Sequence, residues 1–189
     1  MEHKGTQELM TERLRLRRFV QGDAQAMYEH WASDETVTEY LTWYPHDSVE
    51  STHALLRTWV ADYAQPHQYL WGIELGGTLI GSISVVDMEE DANVCEIGYC
   101  IGTKWWNHGY VTEAMQAVIQ FLFEEVGCHR IVAKHDERNP ASGKVMLKCG
   151  LQHEGTHRDC RKNKGEYVTV LTYAILATDK RDSRAHHIL

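Results

Sequence analysis

Glu96-Ile-Gly-Tyr-Cys-Ile-Gly-Thr-Lys-Trp-Trp-Asn-His-Gly-Tyr-Val-Thr-Glu-Ala114 is the stretch whose reading decides the fold. A strand, Val94–Ile101, ends inside it, a loop follows, and a helix begins near Val111. Gly109 sits in the loop between bulkier neighbours. A helix N-terminus exposes unpaired main-chain N–H groups and a partial positive charge, which together suit a diphosphate. A glycine at that point lets the backbone come close to such a ligand. A plain strand-to-helix turn, with glycine there for steric reasons, fits the same residues. The loop lacks the Gly-Lys-Ser/Thr of a Walker A loop and the Gly-x-Gly-x-x-Gly of a dinucleotide fold.

Upstream, Tyr69–Leu75 and Thr78–Val86 are apolar, β-branched runs joined by Gly76-Gly77, a two-residue hairpin signal. The acidic run Asp87–Asn93 reads as a second turn, so three strands form a meander ending at Ile101. Before them, Leu14 and Leu16 alternate with arginines in Thr11–Phe19, the pattern of a half-buried strand. Gly22-Asp23 then opens a helix through Trp31. Asp47 and Glu50 fit a capping box for a second helix carrying Leu55, Leu56, Trp59, Val60 and Tyr63. Downstream, Met115, Val118, Ile119, Leu122, Phe123 and Val126 recur at helical spacing, and Gly127 ends the segment. A strand over Arg130–Lys134, a helix over Ser142–Cys149 stopped by Gly150, and a strand over Glu166–Leu176 follow. His153 and His157 straddle a further strand. The order β-α-α-βββ-α-β-α-ββ predicts an α+β (mixed α/β) domain around one central sheet.

A chain of 189 residues, 43% apolar and 24% charged, has room for one domain with a real core. No apolar run approaches the ~20 residues that cross a bilayer. Met1–Met10 has no apolar segment of the secretory kind, so a cytoplasmic location is expected. Five cysteines, Cys95, Cys100, Cys128, Cys149 and Cys160, are an odd number without a short repeated spacing. That argues against a disulfide framework and a Cys-x-x-Cys metal site, and no metal is expected. The net charge of −8 weighs against nucleic-acid binding and mildly favours a cationic partner.

Trp106-Asn-His-Gly109-Tyr-Val111 resembles the Gln/Arg-x-x-Gly-x-Gly/Ala motif of the GNAT N-acetyltransferase superfamily. The longer string through Thr112-Glu-Ala114 is similar to its RimJ/RimL-like ribosomal-protein N-acetyltransferase branch. Asn139-Pro-Ala-Ser142 and Lys148-Cys-Gly-Leu151-x-x-Glu-Gly155 resemble that branch's second motif, and Thr11–Arg17 and Gly165–Val168 fit the same template. The resemblance spans Thr11–Ala177. It implies a GNAT-like acyl-CoA N-acyltransferase fold, a mostly antiparallel central sheet flanked by helices, over 11–178. Residues 1–10 would be an extension and 179–189 a polar tail. It implies acetyl transfer from acetyl-CoA to a primary amine, possible as a homodimer, with no membrane. The branch favours the N-terminal α-amine of a ribosomal protein; small-molecule amines of polyamine or antibiotic type, or an acyl-CoA sensor without turnover, are the alternatives.

The same resemblance assigns the CoA diphosphate to main-chain amides of Trp106, Asn107, His108, Gly109, Tyr110, Val111 and Thr112. It assigns the pantetheine arm to the strand end at Cys100, Ile101 and Gly102, to Asn139 and to Ser142. Val111 stands where a small residue is usual, which would set the loop back from the phosphates. His108 could reach a phosphate or contribute only its amide. Trp31, Tyr40, Trp43 and Tyr44 would cover the acceptor cleft, with core packing the alternative for each. Asp34, Glu35, Glu39 and Asp47 would suit a cationic acceptor, and fit a solvated acidic loop equally.

An amine attacks a thioester only as the neutral base, so a group must take its proton, and the leaving thiolate gains from a donor. Glu96 is the candidate base: strand alternation puts Glu96, Gly98 and Cys100 on one face, and its position resembles the catalytic glutamate of histone-acetylating GNAT enzymes. An exposed strand carboxylate, or a partner for a nearby arginine, is the competing reading. Ser142 is the candidate acid, four residues before Met146, which stands where many GNAT enzymes carry a tyrosine. A helix cap is its competing role.

Overall fold

The computed structural model describes residues 1–179. The polar tail expected over 179–189 lies, Asp179 apart, outside the described residues. Eight strands make one sheet: β1 (Leu9–Met10), β2 (Leu14–Arg17), β3 (Leu70–Leu75), β4 (Thr78–Glu89), β5 (Val94–Ile101), β6 (Arg130–Asp136), β7 (Gln152–Asn163) and β8 (Glu166–Leu176). Their order is β1-β2-β3-β4-β5-β6-β8-β7, antiparallel throughout except at β5 and β6. The β5–β6 connection is α4 (Tyr110–Phe121), prolonged by a wider turn over Leu122–Val126 and stopped by Gly127 at φ 78°. The left-handed conformation there favours glycine.

The parallel ladder is short. Val94, Cys95 and Glu96 pair with Arg130, Ile131 and Val132, and the two strands then part. Beyond that point β5 stays bonded to β4 through Ile101, and β6 to β8 through Asp136. The sheet therefore opens into a V, with Ile97–Ile101 on one arm and Ala133–Asp136 on the other.

Both faces are covered. On one, Val111, Ala114, Met115, Val118 and Ile119 of α4, with Leu122 of the turn that prolongs it, are buried against Ile83, Ile97 and Ile131. The helix α5 (Pro140–Lys148) adds Met146 to this core. On the other face lie α1 (Ala24–Met27), continued by a π-type turn over Tyr28–Ala32, α2 (Glu35–Thr38) and α3 (Val49–Asp62). Phe19, Met27, Trp31, Leu56, Leu70 and Leu79 form their core. Arg17 ties β2 to the turn before α1, pairing with Asp23 at 2.8 Å and with Glu74 at 2.5 Å.

The hairpin turn has both glycines at positive φ, 54° and 85°, as the Gly-Gly signal requires. Several boundaries differ from expectation: β6 runs past Lys134 to Asp136, and α5 spans Pro140–Lys148 rather than Ser142–Cys149. The second meander strand runs on to Glu89, because its outer end keeps pairing with Glu96, Cys95 and Val94. The cap of α3 is Ser48, whose hydroxyl accepts from the Ser51 amide at 3.2 Å; Asp47 instead accepts from both serine hydroxyls. The first helix is broken into 3-10, α and π turns rather than running evenly to Trp31. Met1–Met10 is packed against the sheet: the Met1 ammonium donates to Asn93 Oδ1 at 2.9 Å and Thr6 Oγ1 to the Gln68 carbonyl at 2.8 Å. No described helix is long and apolar enough to cross a membrane.

Candidate active site

The loop after β5 turns through a 3-10 stretch, Thr103–Trp105, and two left-handed residues, Asn107 at φ 61° and Gly109 at φ 80°. These reversals leave the amides from Asn107 to Thr112 without any acceptor among the described residues. Consecutive unpaired N–H groups at a helix start form an anion-binding concavity. Arg13 holds the loop in place: its guanidinium donates to the His108 carbonyl at 3.0 Å, stacks on Tyr110 at 4.6 Å and pairs with Glu113 at 2.7 Å. Burial works against ionisation of Glu113, but donors from Thr11, the Arg13 amide and the Arg13 side chain hold its carboxyl below the usual range. A cleft of about 330 Å³ opens here between Arg13, Gly109, Thr112, Gln116 and Lys148. A larger hollow of about 650 Å³, lined by Glu137, Arg158 and Asp159, shares no residue with the loop or the V.

The side chains of the loop mostly serve the loop. Trp106 donates its indole N–H to the Ile101 carbonyl at 2.9 Å, so that carbonyl is already engaged. His108 bonds through Nδ1 to the Trp106 carbonyl at 2.6 Å and stacks on Tyr110 at 9°. Val111 turns inward to the core, so its bulk is spent on packing rather than on the anion side. Gly102 is forced: a Cβ there would lie 2.3 Å from the His30 carbonyl.

The V is lined differently on its two faces. On the α5 side, Tyr99 reaches from β5 and bonds to Ser142 through both the carbonyl, at 3.1 Å, and Oγ, at 2.8 Å. Burial pushes the Tyr99 hydroxyl well above the ordinary phenol range, so it stays protonated. Asn139 precedes Pro140 at the start of α5, and its side chain makes no hydrogen bond among the described residues. Ser142 does not cap α5 either; its hydroxyl belongs to Tyr99. Tyr99 was not singled out from sequence, although alternation with Ile97 and Ile101 already puts it on this face.

On the opposite face stand Glu96, Gly98 and Cys100 of β5, and Lys134 and Asp136 of β6. Lys134 Nζ pairs with Glu96 Oε2 at 2.5 Å across the base of the V. Asp136 is taken by Arg138 at 2.7 Å, and that guanidinium, with its two hydrogen bonds, holds the Asp136 carboxyl below its usual range. Burial pushes the Cys100 thiol up, while its sulfur lies 3.3 Å from Ser82 Oγ. Gly98 is covered by Val86, the extra residue of a bulge in β4, whose methyl would lie 2.8 Å from a Cβ. Tyr40 lies under Arg138 at 5.5 Å, and Tyr44 under Lys164 at 5.2 Å. Trp31 is instead fully buried. Asp34 caps α2 and bonds to Thr103, and Asp47 serves Ser48 and Ser51, so neither carboxylate is free of protein partners.

The model of the acetyltransferase (GNAT) domain matches residues 13–152. An uncharacterized N-acetyltransferase of Bacillus subtilis, YoaA, is 32% identical over 170 residues, 89% of this chain and 96% of the relative. The ribosomal protein uS5-alanine N-acetyltransferase of Escherichia coli is 30% identical over 87 residues, 46% of this chain and 45% of that enzyme. The crystal structure of a GNAT-family acetyltransferase from Bacillus anthracis superimposes with a TM-score of 0.80 at 29% identity, covering 91% of this chain and 99% of the other. A glycine-turned amide cradle at the head of α4, beside a sheet opened at a short parallel ladder, thus sits in a chain that belongs to the GNAT family and is an acetyl-CoA-dependent N-acetyltransferase.

Proposed function

We propose that the amides from Asn107 to Thr112 hold the CoA diphosphate, and that the free edge of β5 with the Asn139 amide holds the pantetheine arm. The observation that carries this is the run of main-chain donors without acceptors among the described residues, opening beside the cations Arg13 and Lys148. The thioester would then lie in the V, with Ser142 on its α5 side and Glu96 on the other. Acetyl-CoA supplies the activated acyl group. Glu96 takes a proton from the acceptor ammonium, directly or through water, and Ser142 returns one to the sulfur. Tyr99, kept neutral by burial, restores the serine proton.

The acceptor enters on the Glu96 face, under Tyr40 and Tyr44. We favour the N-terminal α-amine of a ribosomal protein, supported by the partial match to the uS5-alanine enzyme and by the net charge of −8, which draws basic polypeptides. A small cationic amine is the second reading, supported by the same charge. A cytoplasmic location fits, with no disulfide among the described residues. The test is release of CoA thiol with a panel of basic N-terminal peptides and polyamines. Turnover with peptides, and a drop of about 10²-fold or more in kcat/KM for Glu96→Gln, is expected. Acetyl-CoA binding without thiol release for every amine would leave only a sensor.

A further inference from the structure

An incoming acceptor must present an amine to Glu96, yet in the free protein an amine is already there. Lys134 belongs to β6, two residues past the last rung of the parallel ladder, and its side chain crosses back to Glu96 on β5. The ammonium therefore spans the acceptor side of the V at its base. It is not sealed in: the Lys134 side chain is 38% exposed and that of Glu96 21%. The other charges facing this pair are few. Asp87 on β4 lies opposite Glu96 in the ladder, Asp136 further along β6 is engaged by Arg138, and the residue opposite Lys134 on β8 is the neutral Thr172. Lys134 has one strong partner, and that partner is the candidate base.

We propose that Lys134 is itself an acetyl acceptor, a self-modification site filled when no external amine competes. This rests on the reading that places the thioester in the V. In the step, Glu96 removes a proton from the Lys134 ammonium and the freed nitrogen pair forms a bond to the acetyl carbon. The carbon–sulfur bond breaks, its electron pair leaves with sulfur, and one proton passes to the sulfur as CoA thiol. The balance is one Lys134 ammonium and one acetyl-CoA giving one acetyl-lysine, one CoA thiol and one proton. Tethering the amine in the site replaces a bimolecular encounter, which raises its effective concentration steeply. The product carries no charge at Nζ, so the modified enzyme has a Glu96 carboxylate with no cation to displace.

The test uses the full chain and acetyl-CoA labelled with heavy carbon in the acetyl group, without added amine. Peptide mapping by mass spectrometry then compares Lys134 with the exposed Lys144 and Lys162 over time. Lys134 should be labelled on the order of 10²-fold faster than either. Its rate should not depend on protein concentration, and a good amine acceptor should suppress it. Glu96→Gln should slow Lys134 alone. Labelling of Lys134 no faster than of the two exposed lysines, a rate that rises with protein concentration, or indifference to added amine overturns the proposal. Thiol release with added amines, run in parallel, separates the two readings. Turnover that Glu96→Gln abolishes, with Lys134 unlabelled, sinks self-acetylation and leaves the site standing. No turnover and no label sinks both.

Discussion

The Asn139 side chain makes no hydrogen bond among the described residues, so removing it costs the fold little and, on the proposed reading, the ligand one hydrogen bond. Asn139→Ala should raise KM for acetyl-CoA about 5-fold, the worth of roughly 1 kcal/mol, with an unchanged urea midpoint. Tyr99 is the opposite case, since its hydroxyl is buried and bonded to Ser142. Tyr99→Phe should cost about 1 kcal/mol in urea unfolding and lower kcat while KM for acetyl-CoA stays put. At this scale the sequence was partly legible. Alternation gave Glu96 its face, and helical spacing gave Ser142 its place. The pairing of Glu96 with Lys134 was not legible, because it depends on which residue of β6 lies beside which of β5, and a three-rung parallel ladder leaves no local trace. The competing reading of Glu96 expected an arginine beside it, and the structure puts Lys134 there instead.

Two glycines show how elements set the site. Gly109 sits at φ 80° at the head of α4, with Arg13 close by. Gly109→Ala should cost about 1–2 kcal/mol and raise KM for acetyl-CoA, because the amides of the cradle must shift to relieve the strain. Gly143 is pressed by β6: a Cβ there would lie 2.6 Å from His135 Nε2, a buried nitrogen without a partner, and 3.2 Å from the Tyr173 hydroxyl. Gly143→Ala should destabilise by about 1–3 kcal/mol through overpacking, read as a lower urea midpoint. Elements with one apolar face were readable: Val94–Ile101 and Glu166–Leu176 have the bounds their patterns imply. β7 was harder, since Gln152–Asn163 is an edge strand exposed along nearly its whole length and carries no apolar alternation. Its existence depends on β8 as a template, not on its own composition. The π-type turn at Tyr28–Ala32 has no sequence signature either.

Acid sensitivity belongs to the whole molecule. The carboxyls of Glu113, Asp136 and Glu154 are all held below the ordinary range by guanidinium groups, joined by a hydroxyl and a backbone amide at Glu113 and by a backbone amide at Asp136. A carboxyl lowered on folding binds fewer protons in the native state, so its stabilisation is complete above the unfolded value near ~4 and is lost as pH falls through the folded one. Urea midpoints should hold from pH 7 to about 5 and fall between about 4 and 2, and Asp136→Asn should flatten that fall. The short ladder between β5 and β6 has a consequence of another kind. It divides the sheet into two rafts, one of five strands and one of three, joined in the sheet by three rungs and beyond it by the core under α4 and by ties such as Lys134 to Glu96. A cosubstrate held between the rafts, as proposed, would bond to both and act as mortar. Hydrogen exchange should then slow on both banks of the seam at once when acetyl-CoA is added.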